Sequence, residues 1–368
     1  MSIQSKAVVC RELNAPVVVE TISVQKPQAG EVLVEMKACG VCHSDLSATN
    51  GTIAFPLPLV LGHEGAGIVA EVGEGVTELA PGDHVLTSFV SMCGRCRFCQ
   101  SGRPQLCDQG ARTLVTLPGG ALRTQDADGR PLNIFSGCGS MSQFQTLHQD
   151  NLVKIDPEVP LDRAALIGCG VMTGFGAAAN TARVEAGSRA VVFGAGGVGL
   201  SAIQGCAVCG ASQVVAVDTS AAKLEFARQM GATHTIDASK EENVVKALRK
   251  MTEGGVDYAF ECVGHGEIAE QAYGSLAKGG TAVIVGVAPI SHKTAVRTAS
   301  LTFEEKTLTG SYFGSARPRQ DFPRLISLYK GGRLKLDELV TRTYSIDEAP
   351  QAFEDLAQGR NARGVIVF

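Results

Sequence analysis

The 368-residue sequence has no excess of either charge. Its 33 Lys and Arg face 37 Asp and Glu, a net charge of −4, with a pI near 6.0. That balance gives no electrostatic footing for nucleic acid or an anionic membrane. Nor is there a run of about 18 apolar residues, the length that spans a bilayer; the most apolar stretches, such as 190–200, are short and glycine-rich. No apolar secretory segment follows Met1-Ser2-Ile3-Gln4-Ser5-Lys6, so a cytoplasmic chain with reduced thiols is expected. Internal repeats and low-complexity tracts are missing too. What remains is 45% hydrophobic, enough for a substantial core. At about 100–200 residues per domain, the length suggests two domains.

Cysteine, by contrast, is plentiful, with twelve residues. In a chain of this size without an export signal, clustered cysteines point to metal and not to disulfides. Cys93, Cys96, Cys99 and Cys107 follow C-x2-C-x2-C-x7-C spacing within a lobe at about 91–110. Four thiolates suit tetrahedral zinc with every position filled, a closed structural site. The spacing matches neither ferredoxin pattern. A site without an open position cannot take substrate, so any chemistry must lie elsewhere. Cys10, Cys39, Cys138, Cys206, Cys209 and Cys262 read as small core residues. No motif supports His84, His148, His234, His265 or His292.

Residues 1–90 read as β-rich, with β-branched runs at 17–19, 32–36 and 67–72 punctuated by Gly and Pro. Residues 91–140 read as loops. Near 171 the pattern changes to apolar strands (189–193, 213–217, 256–260, 282–285) alternating with helices (200–209, 221–230). Continuous apolar runs of this kind predict a buried parallel sheet, an α/β arrangement. A further helix-and-strand tail ends at 364–368.

Gly194-Ala195-Gly196-Gly197-Val198-Gly199 fits G-x-G-x-x-G. It follows a predicted strand and opens a predicted helix, and Asp218 closes the next strand about 20 residues on, as the dinucleotide fingerprint requires. Glycines admit a pyrophosphate to the helix N-terminus. Asp218 would accept bonds from the adenosine ribose and repel a 2′-phosphate, which favours NAD over NADP. Lys223 lies within reach of the same ribose.

Two further segments carry metal-ligand residues, Gly40-Val41-Cys42-His43-Ser44-Asp45 and Leu61-Gly62-His63-Glu64-Gly65, and Gly168-Cys169-Gly170 follows much later. Spacing alone does not link them. Together with the four-cysteine lobe, the 194–199 turn and Asp218, they make the whole chain, through Arg363-Gly364-Val365, resemble the zinc-dependent medium-chain alcohol dehydrogenases, in an aryl/allyl- or class III-like branch.

The resemblance implies a β-rich GroES-like catalytic domain, 1–170 completed by 313–368, and a Rossmann domain, 171–312. It implies two zinc ions per chain, with Cys42, His63 and Cys169 holding the catalytic one and leaving a fourth position open. Asp45 would stand behind the histidine ligand, and Glu64 near the metal. Zinc would acidify a ligated alcohol, Ser44 would take its proton, and the resulting alkoxide would pass hydride to NAD. The family's usual terminal histidine of this relay is Ser47 here. Implied cofactor contacts are His43 in place of a common Arg, Thr173 beside the nicotinamide, Val198, Val287, Phe313 and, on the pyrophosphate, Arg363. The implied pocket holds Ser44 (where Thr is common), Ile53, Phe89, Phe135, Val287 and Tyr312. Its room and aromatic walls favour a primary aromatic, allylic or medium-chain alcohol. Arg112 sits one residue beyond the arginine that binds a substrate carboxylate in glutathione-dependent formaldehyde dehydrogenases, which keeps S-(hydroxymethyl)glutathione as an alternative. A non-catalytic zinc- and NAD-binding protein is the alternative of another class. The family also implies a homodimer or homotetramer.

Overall fold

The longest strand, Glu31–Val41, organises one part of the molecule. Its run Val32-Leu33-Val34 and its end Ala38-Cys39 are buried, because the strand is covered along its length. It pairs with Gly65–Val72 along one edge; along the other, Phe144–His148 pairs with its first half and the C-terminal strand Arg363–Val367 with its last residues. These strands belong to a seven-stranded sheet that also holds Leu152–Lys154, His84–Thr87 and Val340–Ser345. A five-stranded sheet of Thr124–Gln125, Val18–Gln25, Ser2–Cys10, Leu59–Val60 and Asn133–Ile134 completes the β-rich part. The computed structural model describes residues 2–368. They divide into two units: residues through Cys169 with Arg317–Gly331 and Leu336–Phe368, and Gly170–Ala316 with Gly332–Lys335.

The second unit is a six-stranded parallel sheet in the order His234–Asp237, Gln213–Asp218, Arg189–Phe193, Val256–Glu261, Leu276–Ile284, Thr307–Gly310. Counting by sequence this is 3-2-1-4-5-6, the doubly wound dinucleotide-binding order. The strands are apolar runs because helices cover both faces; Val191, Val215, Ala259 and Ala282 are all fully buried. The helix predicted from 200 begins at Gly197 and ends at Val208, since the glycine turn feeds straight into its first turn. The strand predicted at 282–285 is longer, Leu276–Ile284. Phe313–Ala316 stay with this unit: a Cβ at Gly176 would stand 2.3 Å from Gly314 O, so the two backbones touch. No single helix among the described residues is long and apolar enough to cross a membrane.

Candidate metal and nucleotide sites

In the first unit, Cys42, His63, Glu64 and Cys169 bring one ligand atom each within 4.8 Å of one another. Three local structures do this. The strand Glu31–Val41 ends at Cys42, which caps the short helix His43–Thr49. His63 and Glu64 precede the strand Gly65–Val72, whose pairing of Gly65 with Cys39 lays them beside Cys42. Cys169 ends the turn Ala165–Gly168, and Gly168 is hemmed in, with a built Cβ falling 2.9 Å from Thr87 O.

The His63 ring is 2% exposed. Its Nδ1 stands 3.1 Å from Asp45 Oδ2, and Asp45 Oδ1 accepts from Gly62 N at 2.9 Å. Thr87 Oγ1 donates to His63 O at 3.1 Å and accepts from Gly65 N at 2.8 Å, which fixes the backbone on either side of Glu64. His63 Nε2 is buried without a hydrogen-bond partner among the described residues, as a nitrogen reserved for a metal would be. Burial acts to lower the His63 pKa, but Asp45 and then Cys42 outweigh it and hold it well above the usual range. The Cys42 thiol is pulled well down by a hydrogen bond from Cys169 and, against its burial, by His63. Cys169 is pushed up by Cys42 and by burial. Two sulfurs and one imidazole with a carboxylate beside them suit zinc.

Behind the ligands, Glu64 accepts from the guanidinium of Arg363. The sequence reading set Arg363 on the cofactor pyrophosphate. In the structure it is 5% exposed and paired with Glu64, because Gly364 pairs with Val41 across the sheet. Gly40 permits this arrangement: a Cβ there would stand 2.0 Å from Glu64 Oε2.

Aromatic rings surround the histidine. Phe135 meets His63 edge-on at 5.1 Å between centroids, Phe89 at 5.8 Å, and Phe55 meets Phe135 at 5.0 Å. Phe55 was not among the sequence candidates; its only signal was an aromatic two residues after Ile53. Ser44 Oγ lies 3.8 Å from Cys42 Sγ. Ser47 is half-buried and its carbonyl accepts from Ile53 N at 3.1 Å. Ile53 is half-buried, whereas His43 and Arg112 are exposed, Arg112 in the turn Gly110–Arg112.

The second cluster gathers Cys93, Cys96, Cys99 and Cys107 around the one-turn helix Arg97–Gln100, which Cys96 caps. Cys93 N donates to Cys107 Sγ and Cys96 N to Cys93 Sγ, both at 3.4 Å. Backbone N–H groups of Cys99 and Asp108 pull the Cys96 thiol down to about 6. Backbone donors that favour thiolates fit a closed metal site. None of the twelve cysteines is in a disulfide.

In the second unit, Gly194 adopts φ +90° and a Cβ at Gly199 would stand 1.7 Å from Gly194 O, so glycine is required at both. Asp218 Oδ2 accepts from Ala195 N at 2.8 Å and its Oδ1 from Ser220 N at 3.0 Å. The carboxylate thus holds the glycine turn as well as facing outward, half-exposed. Val198, Lys223 and Thr173 are half-buried. Val287 and Tyr312 are 67% and 50% exposed, while the Phe313 side chain is 2% exposed, which leaves backbone as the part of Phe313 open to a cofactor. Glu261, missed in the sequence, ends an apolar strand fully buried; its Oε1 accepts from Val263 N and Gly264 N, both at 2.7 Å.

Residues 28–157 match the alcohol dehydrogenase GroES-like domain and residues 197–331 the zinc-binding dehydrogenase family. The chain is 41% identical over 368 residues to an NDMA-dependent alcohol dehydrogenase of Amycolatopsis methanolica, covering 99% of each. The chain belongs to the zinc-dependent medium-chain alcohol dehydrogenases. An S-(hydroxymethyl)glutathione dehydrogenase of Paracoccus denitrificans is 36% identical over 375 residues, covering 99% of this chain and all of that one. The crystal structure of benzyl alcohol dehydrogenase from Acinetobacter calcoaceticus superimposes with a TM-score of 0.92 at 35% identity, covering 100% of this chain and 99% of that one. As a member of this family, the chain is an oxidoreductase with zinc and a nicotinamide dinucleotide as cofactors.

Proposed function

We propose that this family member oxidises primary aromatic, allylic or medium-chain alcohols reversibly to aldehydes with NAD. The observation that carries the reading is the buried Cys42–His63–Cys169 set, with its histidine ringed by Phe89 and Phe135. These three residues would hold the catalytic zinc. When bound, zinc supplies a Lewis acid that lowers the pKa of a ligated hydroxyl, and NAD supplies the hydride acceptor. Asp45 fixes the His63 ring from behind. Ser44, next to Cys42, takes the substrate proton. The rings exclude water and present flat apolar walls. Cys93, Cys96, Cys99 and Cys107 hold the second zinc and shape their lobe. Asp218 recognises the adenosine ribose.

A glutathione adduct is the second substrate reading, favoured by the exposure of Arg112. We further propose a homo-oligomer in the cytoplasm. The strand Thr307–Gly310 leaves one sheet edge open, and Ile290 and Phe303, at 101% and 83% exposure, are apolar groups that a second copy would cover.

The test is NADH formation by zinc-quantified protein with benzyl alcohol, hexanol, ethanol and S-(hydroxymethyl)glutathione. Fast turnover of benzyl alcohol or hexanol is expected. A strong preference for the glutathione adduct moves the substrate to Arg112. No turnover of any of the four with both zinc ions bound refutes this substrate reading.

A further inference from the structure

Residues Phe313, Gly314 and Ser315 adopt φ of +55°, +65° and +50° in succession. Left-handed residues usually occur singly, and two of these three are not glycine. Such strain persists only where the surroundings over-determine it, and it gathers at functional sites. The surroundings here are specific. The turn lies against the helix Gly170–Gly176: a Cβ at Gly314 would stand 2.4 Å from Met172 O and 2.8 Å from Thr173 O. That helix runs on into a π-helical segment, Ala177–Ala182, which ends in left-handed Arg183. π-Helical segments often mark functional sites.

The widened turn carries the two side chains that hold the strained segment. Thr181 Oγ1 lies 2.8 Å from Ser311 Oγ and 2.8 Å from Ser315 Oγ. One hydroxyl therefore ties together Ser311, two residues before the segment, and Ser315, the residue that ends it. Asn180 Nδ2 donates to Gly314 O at 3.3 Å. What this clamp fixes is the backbone of Phe313–Ser315, packed against the carbonyl of Thr173, the residue that the family resemblance sets beside the nicotinamide.

We infer that Thr181 is a positioning residue for the nicotinamide half of the cofactor: its hydroxyl holds the left-handed Phe313–Ser315 turn in the form that meets the nicotinamide ring. The inference rests on the reading of this unit as the NAD site. It predicts a split between two ligands. NADH carries the nicotinamide ring, whereas ADP-ribose lacks only that ring and keeps the adenosine, the pyrophosphate and the second ribose.

The experiment measures the Kd of NADH by fluorescence and of ADP-ribose by competition, for full-length zinc-loaded wild type, Thr181→Val, Thr181→Ser and Ser315→Ala. Valine keeps the β-branched shape and removes the hydroxyl. Leaving polar partners unpaired should weaken NADH about tenfold in Thr181→Val, with ADP-ribose within about twofold of wild type. Thr181→Ser should restore NADH binding, and Ser315→Ala should show the same split as valine. Should Thr181→Val fail to fold, Ser315→Ala and Thr181→Ser carry the comparison. Equal weakening of both ligands would mean a general structural role and overturn the inference, as would unchanged NADH binding. A wild type that binds neither ligand overturns the NAD-site reading itself; a wild type that binds both, with a variant that does the same, overturns this inference alone.

Discussion

The Glu64–Arg363 pair offers a demanding test of the site geometry. The Arg363 side chain is 6% exposed and that of Glu64 0%, so each charge depends on the other for compensation. Arg363→Met leaves a buried carboxylate uncompensated, which costs about 3–5 kcal/mol. In a unit of 150–250 residues each kcal/mol moves Tm by about 2–4 °C, so the zinc-free variant should melt about 6–20 °C lower. Glu64→Gln should be destabilising as well, since it strands the guanidinium. The double variant should recover much of the loss, with a coupling of about 2 kcal/mol or more. Calorimetry suits the measurement, because two units need not melt as one. Zinc loading should reduce the Arg363→Met penalty, since a bound cation would compensate Glu64. Additive single effects, within about 0.5 kcal/mol, would refute the argument that the two charges support each other.

Ser44→Ala should lose most turnover of the alcohol substrate while Ser47→Ala changes little; equal losses in steady-state kinetics would remove Ser44 from its role as proton acceptor. Cys99→Ser should lower the zinc content by about one ion per chain and expose the 93–107 lobe to protease, while leaving the Cys42–His63–Cys169 set loaded; metal analysis and limited proteolysis check both. Asp355 is held down to about 2 by the Tyr344 hydroxyl and then Arg360. In the unfolded chain it titrates near the ordinary carboxylate value, so its stabilisation is present above about pH 4 and is lost as pH falls toward 2. Melting curves of Asp355→Asn and wild type should therefore differ at pH 7 and converge near pH 2; a gap that does not depend on pH would refute the assignment.

Some of this chain was legible as a string because the relevant physics is local. The four lobe cysteines lie within fifteen residues, so spacing alone suggests tetrahedral thiolate ligation. Gly194–Gly199 sits between an apolar strand and a helix, and Asp218 follows at the end of the next strand; the sheet order 3-2-1-4-5-6 turns that local pattern into a nucleotide-binding edge. Helix starts were less legible than strands. The glycine turn carries no apolar period, so the helix from Gly197 was placed three residues late.

Other features depend on pairing between distant segments, which no spacing rule reaches. Cys42, His63 and Cys169 come from three separate stretches, and only family likeness linked them before the Cys39–Gly65 register laid two of them side by side. Arg363 read as a cofactor ligand; the register of Gly364 on Val41 turned it inward to Glu64. Thr181 carries no motif, and its hydroxyl acquires a task only because a π-helical turn widens opposite a left-handed segment 130 residues away. Residue types thus settled which chemistry was available. The register of a few strands and one irregular helix decided where those groups meet, because hydrogen bonds and buried charges act over a few ångströms and only the folded chain brings distant residues that close.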